Sequence, residues 1–198
     1  MTKNPFLTAA KSVAITFAAA ALAATLSVPV HAQDAKKDAV KPADPPSKVL
    51  IDSWNDIGRK LTDMAEDFPE DKYDFKATPV QRSFAEQLIH AAGANYFFTN
   101  LLTGDKTSPE DLMKRDRYKS KAEIVAFVKK SFADGAAAIR AKGDKGLNDL
   151  LVDPFSHQQF RVGELANGFI EHSGEHYGQL VVYYRLSGLV PPESRPKK

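Results

Sequence analysis

Apolar residues recur with the period of a helix in four stretches of this chain, and period-two alternation is nowhere sustained. From Ser47 to about Phe68, the residues Leu50, Trp54, Ile57, Leu61, Met64, Ala65 and Phe68 fall in a sector of about 100°, the width of one core-facing stripe. Ser47, behind two prolines, is the expected N-cap. The second stretch opens on Ser83-Phe84-Ala85-Glu86, a capping box, and continues to about Leu102, ahead of Gly104. A second box, Ser120-Lys121-Ala122-Glu123, starts the third, which places Ile124, Phe127, Val128, Phe132 and Ile139 on one side and stops at about Gly143. The fourth spans roughly Val162 to Leu186. Gly188 suits the left-handed position after its end, and Pro191 and Pro192 block continuation.

Four amphipathic helices of this length predict an all-α four-helix bundle, because each stripe needs apolar partners that a single layer cannot supply. Short extra elements are expected in the loops. Ser108-Pro109-Glu110 predicts an additional turn between the second and third helices. The segment from Asp144 to Phe160 is long enough to fold across one end as a small hairpin or lid.

Residues 1–32 depart from the helical pattern. Lys3 and Lys11 flank the start, an Ala-rich apolar run covers Ser12 to Val28, and Val30-His31-Ala32 closes it. That order predicts a signal peptide cut after Ala32, hence a periplasmic or secreted protein with no stable membrane insertion after cleavage. Residues 33–46 mix Lys, Asp, Ala and Pro without an apolar period and read as a flexible linker, so the folded domain is expected over 47–198. Without residues 1–32 the chain carries 25 basic and 25 acidic residues. No basic cluster stands out, which excludes nucleic acid as a partner. Cysteine is absent, so any bound metal must be held by nitrogen and oxygen.

Three histidines change the picture. On the fourth helix His172 and His176 lie in the apolar arc with Leu165, Phe169, Leu180 and Tyr183; on the second, His90 falls among Ala94, Phe97, Phe98 and Leu101. A buried imidazole without a partner costs about 1–3 kcal/mol. Hydrogen bonds to Glu86 or Gln179, one turn away, would satisfy one ring. For three rings, two of them at an i,i+4 spacing, one shared metal ion is the simpler solution, since it accepts a nitrogen from each. His157 is expected as an exposed loop residue. His172-Ser173-Gly174-Glu175-His176 also spells H-x-x-E-H, a protease pattern, but Glu175 points away from the histidine arc and too few residues follow to build a cleft.

One histidine on the second helix, His-x-x-x-His on the fourth and the closing run "HYGQLVVYYRLSGLVPPESR" together resemble the DinB/YfiT-like family of metalloenzymes over about Lys48 to Pro196. The resemblance implies an up-down-down-up bundle, a divalent metal (zinc or nickel) on His90, His172 and His176, and frequently a homodimer. Some relatives transfer low-molecular-weight thiols, an activity at odds with an export signal.

Three neutral imidazoles leave a divalent ion its full charge and an open coordination position, as in catalytic sites. Water there would have its pKa brought to about 7, which points to metal-dependent hydrolysis of a small molecule. Glu86, Gln179 and Tyr183 are the candidate catalytic groups. A non-catalytic periplasmic protein that binds metal or ligand, and a thiol-dependent transferase, are the alternatives. Gly174 and Gly178, opposite the histidines, allow close approach of another backbone or are merely tolerated.

Overall fold

The computed structural model describes residues 43–153 and 155–196. The expected signal peptide and most of the expected linker lie outside those residues. Four long helices, α1 (Pro46–Asp67), α2 (Phe84–Thr103), α4 (Lys121–Gly146) and α5 (Val162–Leu186), form the bundle. The four-residue α3 (Pro109–Leu112) follows α2, and an antiparallel hairpin pairs β1 (Leu150–Val152) with β2 (Gln159–Arg161). Both extra elements stand where the loops predict them. Among the described residues no helix is long and apolar enough to cross a membrane.

Local chemistry sets most of the helix ends. At α2 the Ser83 hydroxyl accepts from the Glu86 N–H while the Glu86 carboxylate accepts from the Ser83 N–H, and Gly104 closes the helix in the left-handed conformation. Ser108 caps α3 and Ser120 caps α4. α1 differs from expectation at its start. Pro46, not Ser47, opens it, because proline's fixed φ suits the first helical turn and its missing N–H is not needed there. Ser47 instead donates its N–H and hydroxyl to Asp144, across the bundle end. α4 passes Gly143 with a kink (φ 59°, ψ −176°) and continues to Gly146.

α1 and α2 each pack against both α4 and α5 and face one another across the diagonal. Trp54 meets Phe98 and Phe68 meets Phe84, so α1 and α2 run antiparallel. Trp54 with Phe132 and Glu66 with Lys129 set α4 antiparallel to α1 as well. Phe98 with Phe169 and Arg82 with Tyr183 set α5 antiparallel to α2. The topology is therefore up-down-down-up, with the long α2–α4 connection carrying the chain back along the bundle.

The core runs along the axis through Trp54, Leu61, Met64, Phe68, Phe84, Leu88, Phe98, Ile139 and Tyr184, all buried. α4 approaches α1 closely at Gly135, where an added Cβ would lie 2.2 Å from the Trp54 ring. The indole N–H of Trp54 donates to the Phe132 carbonyl at 2.9 Å, so this large side chain is buried with its polar atom satisfied. Leu101 is 36% exposed, contrary to its place on the α2 stripe, because it sits in the last turn of α2, beyond the packed part of the bundle.

Candidate metal centre

Antiparallel α2 and α5 bring His90 opposite His172 and His176, midway along the bundle. The three rings converge: centroids are 4.8 Å apart for His90 and His176, 5.3 Å for His90 and His172, and 4.5 Å for the α5 pair. One ring nitrogen from each lies within 4.8 Å of the others. The Nε2 atoms of His172 and His176 stand 3.1 Å apart. Two nitrogens bound tetrahedrally to one ion at about 2.1 Å lie about 3.4 Å from each other, so the α5 pair is close to chelating geometry.

His176 is 5% exposed and its orientation is fixed from behind: Nδ1 lies 2.8 Å from the Gln87 side-chain oxygen. That oxygen only accepts, so Nδ1 carries the proton and Nε2 presents its lone pair to the cluster. A ring held by a hydrogen bond on the far nitrogen is how metal-binding histidines are oriented. In the neutral cluster a single proton, on His172 Nε2, stands between the two Nε2 atoms. A cation bound by both nitrogens would take the place of that proton. His172 Nδ1 is buried with no hydrogen-bond partner among the described residues, so moving the proton there would carry the cost of an unpaired buried N–H, which coordination has to offset.

Burial, then the charges of Arg82 and His172, holds His90 down at about 4. Burial and the other two histidines hold His176 at about 3, and burial also lowers His172. All three rings are neutral at pH 7, the state a ligand requires. The donor set, its convergence and its protonation fit a divalent ion.

The cluster opens on one side. A cavity of about 670 Å³ has His90 and His172 in its wall; Phe97 on α2, Phe169 on α5 and Phe155 and Phe160 on the hairpin supply apolar surface. Phe155 packs edge-on against Phe97, with centroids 4.7 Å apart. The hairpin therefore closes the outer end of a space sized for a small molecule.

The expected accessory groups are placed differently. The Glu86 carboxylate is held by the Ser83 N–H at 2.6 Å, which keeps it below the usual range, with Lys76 at 3.7 Å. Gln179 is exposed. Tyr183 is buried in the arc with the histidines, and its hydroxyl donates to the Arg82 carbonyl, tying α5 to the segment before α2. His157 is exposed, at φ 58° in the hairpin loop. Glu175 is exposed, and its charge favours the protonated form of His172 against the stronger effect of burial. Two residues escape the helical reading. Gln87, not Glu86 or Gln179, is the hydrogen-bond partner, and its position three residues before His90 on an otherwise apolar arc was the available signal. Glu110, which lines the cavity from α3, carried no signal, because its position depends on how the loop packs.

Fold and cluster together define a four-helix bundle with a three-histidine centre. The sequence profile of the DinB superfamily matches residues 55–180, and the chain belongs to that superfamily. YfiT from Bacillus subtilis, described as a probable metal-dependent hydrolase with an unusual four-helix bundle topology, superposes with a TM-score of 0.58 at 14% identity, over 72% of this chain and 88% of its own. The DinB-like protein YjoA from the same organism superposes with a TM-score of 0.57 at 20% identity, over 75% of this chain and 99% of its own. No curated protein matches the sequence.

Proposed function

We propose that this protein is a metal-dependent hydrolase of a small molecule, with a zinc or nickel ion held by His90, His172 and His176. The supporting observation is the cavity: a three-nitrogen cluster whose wall is also the wall of an apolar chamber is built to meet a substrate. The description of YfiT points the same way. When bound, a divalent ion supplies Lewis acidity and makes water a stronger acid.

The chain's own residues do the rest. Gln87 fixes the tautomer of His176, and the phenylalanine walls keep water from the substrate's apolar part. Glu110 lines the cavity with His90 and His172 and has no basic partner among the described residues, so it is positioned to accept a proton. Glu86, committed to the cap, does not close the fourth coordination position. That favours turnover over storage. The signal-like start supports a reaction in the periplasm or outside the cell.

Protein purified without a polyhistidine tag should contain stoichiometric metal by elemental analysis, and His176→Ala should contain none. The loaded protein should hydrolyse members of an ester, amide and lactam panel, with turnover lost on chelation and reduced in Glu110→Gln at unchanged metal content. Unaltered metal in His176→Ala would remove the proposed centre. Metal present with silence across the panel would leave a carrier rather than a hydrolase.

A further inference from the structure

A second, polar chamber adjoins the apolar one. It has a volume of about 370 Å³, shares His90, Glu110 and Met113 with the first, and adds Arg82, Glu86 and Arg115. The histidine edge is thus the boundary between two spaces of opposite character.

Arg82 takes part in no ion pair or side-chain hydrogen bond among the described residues. Its backbone is pinned, since its carbonyl accepts from Tyr183. It lines the polar chamber together with His90, which places it beside the cluster. Arg115 is half committed: Nη1 donates to the Tyr118 carbonyl at 2.6 Å and Nη2 to Asp74 at 3.0 Å. Its Nε is buried and has no partner among the described residues, so it offers nothing to the chamber's surface. Glu86 is consumed by the Ser83 cap. The chamber therefore offers one unpaired guanidinium, that of Arg82, with Glu110 at its border.

Resting on the three-histidine reading above, we propose that the substrate is an amphipathic carboxylate, its apolar body in the phenylalanine-lined cavity and its carboxylate against the Arg82 guanidinium. A molecule spanning both chambers would cross the edge formed by His90, Glu110 and Met113, which sets its middle beside the His90 ring. A single negative charge fits better than a double one, because Glu86 and Glu110 line the same chamber and repel a second. Guanidinium groups recognise carboxylates by charge-assisted hydrogen bonds.

The test uses 4-phenylbutyrate and its neutral analogue 4-phenylbutyramide as probes, titrated calorimetrically into zinc-loaded protein and into protein stripped with a chelator, with metal content measured in each sample. The expected result is a preference for the carboxylate of about tenfold or more, present in both samples and lost in Arg82→Gln. Arg82→Lys should restore part of it. The Arg82 side chain is exposed and its carbonyl contact is retained on substitution, so the variant keeps the fold. Equal affinities, absence of binding, or a preference that survives Arg82→Gln would overturn the proposal. A preference confined to the zinc-loaded sample would assign the carboxylate to the ion and overturn it equally. Absence of metal from the loaded sample would strike the metal reading alone, because the stripped protein still tests Arg82.

Discussion

Polar atoms are handled differently at two levels of this bundle. Among the aromatic residues of the core, buried donors end on backbone carbonyls: Trp54 on Phe132, Tyr184 on Met64 at 2.9 Å, Tyr73 on Ala65. Around the histidines polar atoms are left open: among the described residues His172 Nδ1, Ser173 Oγ and Arg115 Nε are buried without partners. One helix serves both levels, since α5 carries Tyr184 near its end and His172, Ser173 and His176 in its middle. The aromatic level spends its bonding capacity on the fold. The histidine level leaves part of its bonding capacity unused, at some cost in stability.

The largest expected effect lies at the aromatic level. Trp54→Ala removes a fully buried indole that packs against Phe98 and Phe132 and donates to a backbone oxygen. It should cost about 3–5 kcal/mol in urea denaturation. The protein that remains folded should still bind metal, because Trp54 lies outside the histidine cluster. A loss below about 1 kcal/mol would mean that this level does not dominate stability.

His90→Leu should act in the opposite sense. It replaces a half-buried imidazole that makes no hydrogen bond among the described residues with an apolar side chain facing an apolar cavity. The metal-free protein should gain about 1–2 kcal/mol while stoichiometric metal binding is lost. The pH dependence sharpens the test. Folded values of about 4 for His90 and about 3 for His176 lie below the ordinary 6.5, so the unfolded chain binds more protons between these limits. The contribution of these rings to stability is complete above about pH 6.5 and is lost as the pH falls toward the folded values. Asp67 and Glu86, lowered from 3.8 and 4.5, add their losses only below about pH 4.5. The decline between pH 6.5 and 4.5 should be shallower in His90→Leu than in the parent, measured by denaturation at each pH. Parallel slopes would contradict the assignment of that decline to the cluster.

The contrast between levels also explains what the sequence disclosed. Three histidines on helical arcs are legible because the 3.6-residue period alone decides which side chains share a face, and Ser83, Ser108 and Ser120 announce their helices by local hydrogen bonding. Gln87 was obscured by its neighbour. Glu86 is the acidic member of the capping box, so its carboxylate was already claimed at the helix start, and the polar residue left on the histidine face is Gln87. Glu110, Arg115 and the hairpin phenylalanines lie in the short elements and turns between the long helices, whose placement follows from tertiary packing, and no period reports it. The opening of α1 at Pro46 rather than Ser47 is a local effect, in which proline's preset φ overrides the preference for a serine cap.

The smallest expected effect is on the outer side of α5, behind the site. Among the described residues nothing lies within 4 Å of a Cβ built on Gly174 or Gly178, so neither glycine has a close neighbour there. Glycine in a helix interior is less favourable than alanine by about 0.5–1 kcal/mol. The segment carrying His172 and His176 is thus loosened by its own backbone as well as by unpartnered polar atoms. Gly178→Ala should raise stability by about 0.5–1 kcal/mol, independent of protein concentration and with metal content unchanged. A loss that deepens on dilution, followed by sedimentation, would mean instead that a second copy packs its backbone against these glycines. In that case the weak level of the bundle would be completed by assembly, and its comparison with the aromatic level would have to be drawn on the dimer.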